Sequence, residues 1–248
     1  MGALLCIVAV TAAMLFSPGV AIAVLTTNQL VYAFTYGSDQ DTYARDSKNP
    51  AEAIDPADRL GSGISHYHGS LTDKGTMTVH IEHLQDDGGL IVTISEQGEN
   101  VRDAPTATCV VYSSTRVICD PNKTVYPEEY TLLRFLGTSF VDPSRMDAKR
   151  HWTLTQNSRS LNVQADYTVS SVSNGIMKIA ENRHIRPVGG GSQRVDVQTD
   201  IGYDFNRAIP TSIDEYATQR LDNGVGGTTT TVYQTTLTLV ESTSVVAP

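Results

Sequence analysis

The sequence predicts a mainly β protein: a large, curved, antiparallel meander sheet, half-barrel-like in shape, with one short buried helix. Three observations predict this class. Residues 193–205 alternate between apolar and charged positions with a period of two. Further stretches of strand composition follow one another, separated by turn signals such as Asn174-Gly175. One segment, residues 127–137, has the composition and end signals of a helix.

The alternation in residues 193–205 predicts a strand with one buried and one solvated face. One parity holds Val195, Val197, Thr199, Ile201, Tyr203 and Phe205, and the other holds Arg194, Asp196, Gln198, Asp200 and Asp204. At about 3.4 Å per residue this strand spans roughly 40 Å, far more than a usual strand. We expect its acidic side chains to form a solvated face, paired with Arg183, Arg186 or Arg220. Calcium binding is the alternative, but the loop signature of such sites is absent.

The first residues predict a secretory signal peptide over residues 1–23. An apolar run from Leu4 to Phe16 ends at Ser17-Pro18-Gly19, and Ala21-Ile22-Ala23 supplies the small residues of a cleavage site. Residues 1–23 contain no Lys or Arg, which departs from the usual pattern, and an uncleaved membrane anchor is the alternative. We expect a secreted or periplasmic protein whose residues 24–248 form a single β-rich domain.

Composition excludes some partners. The formal net charge is −9 over 248 residues, and an acidic surface repels nucleic acid and anionic lipid surfaces. We therefore expect no nucleic-acid partner. No second apolar stretch approaches the length of a transmembrane helix, so we expect no transmembrane segment in the mature chain.

The N-terminal half begins with a predicted strand over residues 25–36. A polar loop is predicted over residues 37–63, where periodicity is lost among aspartates, prolines and small residues. A loop of this length is either functional or mobile, and a mobile surface loop is the simpler interpretation.

A histidine cluster is predicted in the next segment. Residues 64–71 and 76–83 have strand patterns around Asp73-Lys74-Gly75, which predicts a hairpin. Matching the apolar faces of the two strands fixes the register and brings four side chains to one face: His66, His68, His80 and Glu82. Imidazole and carboxylate ligands on adjacent strands suit a zinc-like ion. The alternative is a solvated polar face without a ligand.

The two cysteines beyond the signal segment predict a disulfide. Cys109 and Cys119 flank the residues Ser113-Ser114-Thr115, and a hairpin centred there places them opposite each other. In the chain-entropy model, closing this loop stabilises the fold by roughly 2.8 kcal/mol. A metal or redox dithiol is the alternative, but the spacing fits neither.

The one predicted helix should be buried. Pro127 suits its first turn, Glu128 and Glu129 favour its positive end, and Gly137 suits its end. Its apolar side chains leave little polar surface: Leu132, Leu133, Phe135 and Leu136. We expect the helix to pack against the sheet as part of the core. If an apolar ligand lies between helix and sheet, these four side chains contact it.

From His151 onward the sequence predicts a meander of long strands, ending in a Thr-rich strand over residues 228–240. No nucleophile, phosphate-loop or metalloprotease motif is present, so the sequence favours a non-catalytic protein. The leading hypothesis is a binding or carrier protein for a lipid or other apolar ligand. The alternatives are a structural or protein-interaction module of the cell envelope, with an envelope protein as partner, and a metal-dependent enzyme that uses the histidine cluster.

Overall fold

A computed structural model describes eight parts of the chain: residues 27–45, 64–99, 106–112, 115–136, 141, 150–189, 192–222 and 227–244. These parts contain one helix, α1 (Pro127–Leu133), and eleven strands. The strands are β1 (Thr27–Arg45), β2 (Ile64–Leu84), β3 (Leu90–Gly98), β4 (Ala107–Val111), β5 (Val117–Cys119), β6 (His151–Asn157), β7 (Leu161–Ser173), β8 (Ile176–Pro187), β9 (Gln193–Asp204), β10 (Ile209–Asp222) and β11 (Thr228–Ser244). The predicted signal peptide lies outside the described residues.

All the strands belong to one open antiparallel sheet in the order β5-β4-β3-β2-β1-β11-β10-β9-β8-β7-β6. The chain starts in the middle at β1 and runs outward to β5. It then crosses to the opposite edge at β6 and returns strand by strand to β11, which pairs with β1. The helix lies in the crossover between the two edges and packs against β10 and β11, over the middle of the sheet. The predicted antiparallel sheet with one short buried helix is therefore confirmed.

Two local predictions in the N-terminal half are wrong. The first strand continues to Arg45, so a polar loop does not begin at Gly37; residues 46–63 lie outside the described residues. The predicted turn at Asp73-Lys74-Gly75 is absent, because β2 is one continuous strand of 21 residues. The cause is the long partner strand. Pairing of β1 with β2 runs without interruption from Gln29↔His80 to Arg45↔Ile64. A turn within this stretch would break ladder hydrogen bonds between the two strands, so the continuous strand is favoured.

The helix begins as its sequence predicts. Pro127 occupies the first turn, and the side chain of Glu129 accepts a hydrogen bond from the backbone N–H of Tyr126 at 2.8 Å. It ends earlier than predicted, at Leu133, because Phe135 and Leu136 donate to carbonyls three residues back and so tighten the last turn. No helix in the described ranges is long and apolar enough to cross a membrane.

Candidate functional site

One face of the sheet, here called the inner face, carries the buried side chains and packs against α1. Consecutive cross-strand pairs on this face form a row that runs from β2 to β6, which we call the polar row. Its members are Asp73, Tyr36, Thr235, Glu215, Thr199, Glu181, Tyr167 and Trp152. Carboxylates and hydroxyls thus lie in the middle of the inner face, where burial is tolerated only with hydrogen-bond partners.

Arg134, directly after α1, supplies such a partner to both central carboxylates. Its Nη1 donates to the two oxygens of Glu181 at 3.1 and 3.2 Å, and its Nη2 donates to Glu215. The arginine side chain is 4% exposed, so this is a buried ion-pair network. Burial alone would lower the pKa of Arg134, but the adjacent carboxylates of Glu181 and Glu215 hold it above its usual value. The network fixes the end of the helix to β8 and β10.

Glu181 has no free acceptor position. Besides Arg134, its Oε1 accepts from the hydroxyl of Tyr167 at 2.8 Å and its Oε2 from the hydroxyl of Thr199 at 2.8 Å. Burial favours its neutral form, but Arg134, Arg183 and these hydrogen bonds together lower its pKa below the usual value. A carboxylate with about four lone-pair sites is saturated by these contacts. Its geometry is that of a structural anchor, since no site remains for a substrate.

The four helix residues predicted to contact a ligand are all enclosed. Leu132, Leu133 and Phe135 are completely buried, and Leu136 is nearly so. They belong to the same core cluster as the inner-face residues of β1, β2 and β9. Their predicted burial is confirmed, and their contact with a ligand stays a prediction.

Farther along the strands, the inner face carries partly exposed apolar side chains, with Gln156 of β6 and Gln219 of β10 beside them. We call this surface the inner patch and define it as Leu154, Val163, Ile185 and Val195. These side chains lie on the inner parity of β6, β7, β8 and β9, and all are partly exposed. Three of them form direct cross-strand neighbours, Val163↔Ile185↔Val195. An apolar surface of this kind on the same face as the core suits an apolar ligand.

Arg183 lies between the polar row and the inner patch. On the inner parity of β8 it follows Glu181 and precedes Ile185, at a spacing of about 7 Å per two residues. It pairs across the sheet with Ala165 on one side and Val197 on the other, and it is 5% exposed. Arg183 was one of three arginines expected to pair with the acidic residues of β9, and it lies on the opposite face from them. Arg186 is the arginine that pairs with Asp196 on the other face.

The predicted histidine cluster divides into two separate places. At one end of β2, His66 Nε2 and His68 Nδ1 lie 2.9 and 3.1 Å from the same oxygen of Asp41 on β1. The ring of Tyr43 stacks on His66 with centroids 4.5 Å apart. Hydrogen bonds from His66 and then His68 lower the pKa of Asp41.

His80 and Glu82 lie near the other end of β2, about 40 Å from His68 along the strand. Glu82 accepts a hydrogen bond there from the hydroxyl of Thr93 at 2.6 Å. The four side chains therefore do not converge, because the hairpin that would have folded them together is absent. Within the described ranges, no group of three or more His, Cys, Asp or Glu side chains is arranged to hold a metal ion.

The predicted disulfide between Cys109 and Cys119 is confirmed. The two cysteines are register partners in the pairing of β4 with β5. They close the outermost hairpin of the sheet, away from the inner patch.

A second concave region lies on the outer face. An open groove of about 470 Å³ crosses β7 to β11, with Lys178, Asp200, Gly202 and Asp214 among its lining residues. Its lining mixes apolar side chains such as Ile176 with these charged ones, so an apolar ligand bound there would also cover charges, which the inner patch does not present.

Sequence analysis missed three residues that organise the inner face, Arg134, Glu181 and Glu215, and expected a fourth, Arg183, on the other face. A signal for two of them was present. In β8, Met177, Ile179 and Ile185 define the apolar parity, and Glu181 and Arg183 lie on that same parity. Charged residues on the buried parity of a strand indicate a buried network, because a lone buried charge is too costly. Nothing in the sequence pairs them with Arg134, whose contact depends on where the crossover lies.

Comparisons with known proteins identify no family. No protein-family model matches the chain, and no curated protein matches it. A solved structure of lipovitellin, described for its lipid–protein interactions, is similar over 90% of this chain and 26% of its own chain, with a TM-score of 0.47 and 10% identity. This chain thus spans 26% of the length of the lipovitellin chain. A similarity of this degree carries no inference about what this chain binds.

Proposed function

We propose that this protein is a non-catalytic binding or carrier module for an apolar ligand, and that the ligand binds on the inner face of the sheet. The observation that carries the proposal is the inner patch. Leu154, Val163, Ile185 and Val195 are partly exposed on the same face as a fully buried core. Covering them with an apolar ligand stabilises the complex by about 25 cal/mol per Å² removed from water.

The buried charges next to this surface favour binding over catalysis. Glu181 and Glu215 both accept hydrogen bonds from Arg134, so their oxygens are engaged in holding α1. A general acid or base must reach its substrate, and a carboxylate saturated by internal donors does not. The network instead gives a rigid wall beside the patch, which limits the ordering cost of binding.

A paired substitution tests the proposal. Ile185→Asn introduces an amide into the inner patch between Val163 and Val195, and Val240→Asn introduces the same amide at an exposed position on the opposite face of β11. We expect the first to weaken binding of a neutral fluorescent apolar probe about tenfold, because the amide loses water without gaining a partner. We expect the second to have no effect. Equal affinities of both variants and the wild type would contradict the placement of the ligand.

We further propose that the mature protein acts outside the cytoplasm, in the periplasm or the extracellular medium. The support is the sequence of residues 1–23, together with the presence of a disulfide. Mass spectrometry of the protein recovered after export tests this. We expect the mass of a chain that begins at Val24 and has lost two hydrogens; a full-length reduced chain would contradict it.

A second candidate function, a protein-interaction module of the envelope, is favoured by one observation. The sheet is open and ends at β5 and β6, and an edge strand offers unpaired backbone groups to a partner strand. Thr155→Pro on β6 tests it. We expect the variant to fold and to lose any partner recovered by crosslinking in envelope extracts if the partner pairs with this edge.

A further inference from the structure

The inner face contains a buried cation whose hydrogen-bonding capacity is unused. Arg183 is 5% exposed, and its Nε is enclosed without an acceptor. Within the parts of the chain that the structure describes, no side chain or carbonyl accepts a hydrogen bond from any of its nitrogens. Arginine does not lose its proton in proteins, so this group stays charged.

The nearest carboxylate does not serve as its acceptor. Glu181 is two residues earlier on the same face, but its oxygens accept from Arg134, Tyr167 and Thr199. The attraction between Arg183 and Glu181 is therefore a through-space effect without a hydrogen bond. Burial, together with the positive charge of Arg134, lowers the pKa of Arg183, so its surroundings are unfavourable for a cation. An added anion would relieve that unfavourable environment.

The surroundings of Arg183 are those of a head-group site. Ile185, in the inner patch, is the next inner-face residue along β8, about 7 Å away. The cation thus lies where the filled interior ends and the partly exposed apolar surface begins.

We infer that the inner face binds a single-chain amphiphile with a carboxylate head, its carboxylate on Arg183 and its apolar chain over the inner patch. This rests on the proposed function and names the class of ligand. A guanidinium matches a planar carboxylate through two parallel N–H···O bonds. The ligand shares this region with the carboxylates of Glu181 and Glu215, so a head group with one negative charge is favoured over a doubly charged phosphate monoester. The patch crosses four adjacent strands, a width of about 14 Å.

The test compares two probes that differ only in the head group. A conjugated-polyene fatty acid and the primary alcohol with the same chain both fluoresce more strongly on leaving water. Each is titrated into the full mature protein after passage over a hydrophobic resin. We expect the acid to bind about ten- to a hundredfold more tightly than the alcohol, as hydrogen bonds to a charged group imply.

Equal binding of acid and alcohol would overturn the role of Arg183 and leave the proposed function standing. Binding of neither would overturn both. An alkyl phosphate of equal chain length that binds more tightly than the acid would overturn the assignment of a carboxylate. None of these outcomes depends on a variant, so the inference remains testable even where a substitution prevents folding.

A variant adds a readout that a merely structural arginine would not give. Arg183→Met removes the charge and keeps an apolar side chain of similar reach. We expect it to lower the affinity for the acid to that for the alcohol, and to raise the Tm of the ligand-free protein, since an unpaired buried cation is removed. Arg220→Met, at an exposed position, should change neither quantity. A lower Tm with unchanged preference for the acid would show that Arg183 supports the fold instead.

Discussion

Arg134 shows how a single side chain determines where the helix lies. The helix is short, and a helix of this length is unstable on its own. Its position depends on apolar packing of residues such as Leu133 and on the ion pairs from Arg134 to Glu181 and Glu215. The carboxylates belong to β8 and β10, so one arginine joins the helix to two strands that are separated by β9.

Removal of that arginine should be costly. Arg134→Met leaves the buried carboxylate of Glu181 and the partly buried one of Glu215 without their hydrogen-bonded cation, and we expect the free energy of unfolding to fall by about 3–5 kcal/mol. Urea unfolding of the variant, followed by tryptophan fluorescence of Trp152, measures this. Arg220→Met is the matched control, because Arg220 is exposed, and it should stay within about 0.5 kcal/mol of the wild type. A comparable loss in both variants would contradict a special role for the network.

Glu181 gives the same network a pH dependence. Its pKa is lower in the folded protein than in the unfolded chain, so it stabilises the fold above its unfolded pKa. That stability is lost as the pH falls through the folded pKa. We expect the unfolding free energy to decrease from about pH 4 downward. Glu181→Gln should flatten this acid-side slope, and an unchanged slope in the variant would mean that other carboxylates determine it.

At the scale of the element, β2 shows why local turn chemistry failed as a predictor. Asp73-Lys74-Gly75 has the composition of a turn, yet it lies within a continuous strand paired with β1. Leu71 lies on the same parity of β2 as Met77 and Ile81, although Asp73 and Gly75 interrupt the apolar pattern between them. The shared parity on both sides of the interruption was the signal for one strand, and it was outweighed by residue type. The four predicted histidine-cluster residues do not come together for the same reason. Their placement on one site required the two halves of β2 to pair across a turn that does not form.

Gly75 has a packing reason to be glycine. A Cβ added there would lie 2.0 Å from the backbone oxygen of Gln97 in the neighbouring strand β3, and a backbone atom cannot move aside easily. We expect Gly75→Ala to destabilise the fold by about 1–3 kcal/mol through this overlap.

The control for that substitution lies on the next strand. A Cβ at Gly37 of β1 meets nothing within 4 Å, so Gly37→Ala should change the free energy of unfolding by less than about 0.5 kcal/mol. Chemical unfolding of both variants gives the comparison. Equal effects would show that the close approach of β3 at Gly75 is relieved by a small shift of the strand.

At the scale of the whole molecule, sequence reasoning succeeded where one strand pair is local and failed where strands far apart in sequence meet. The alternation of β9 and the Asn174-Gly175 hairpin needed only neighbouring residues, and both are present. The pairing of β1 with β11 joins strands that are far apart in sequence, and no local sequence pattern predicts it. The inner patch likewise contains residues of β6, β7, β8 and β9, so its prediction requires the order of strands in the sheet.

The disulfide lies at one edge of the sheet. Among the described residues, the three of β5 are the outermost on this side, and Cys109–Cys119 joins them to β4. Replacing both cysteines by serine should reduce the free energy of unfolding by roughly 2.8 kcal/mol in the chain-entropy model, which lowers the Tm of a chain of this size by about 6–11 °C. Scanning calorimetry measures the shift. A reductant should lower the Tm of the wild type by a similar amount and leave the Tm of the double variant unchanged.

The affinity of the inner patch for an apolar probe should be the same in the wild type, the reduced wild type and the double variant, because the disulfide lies at the opposite edge of the sheet from β6. A loss of binding on reduction would mean that the two edges of the sheet are coupled through the crossover that carries the helix.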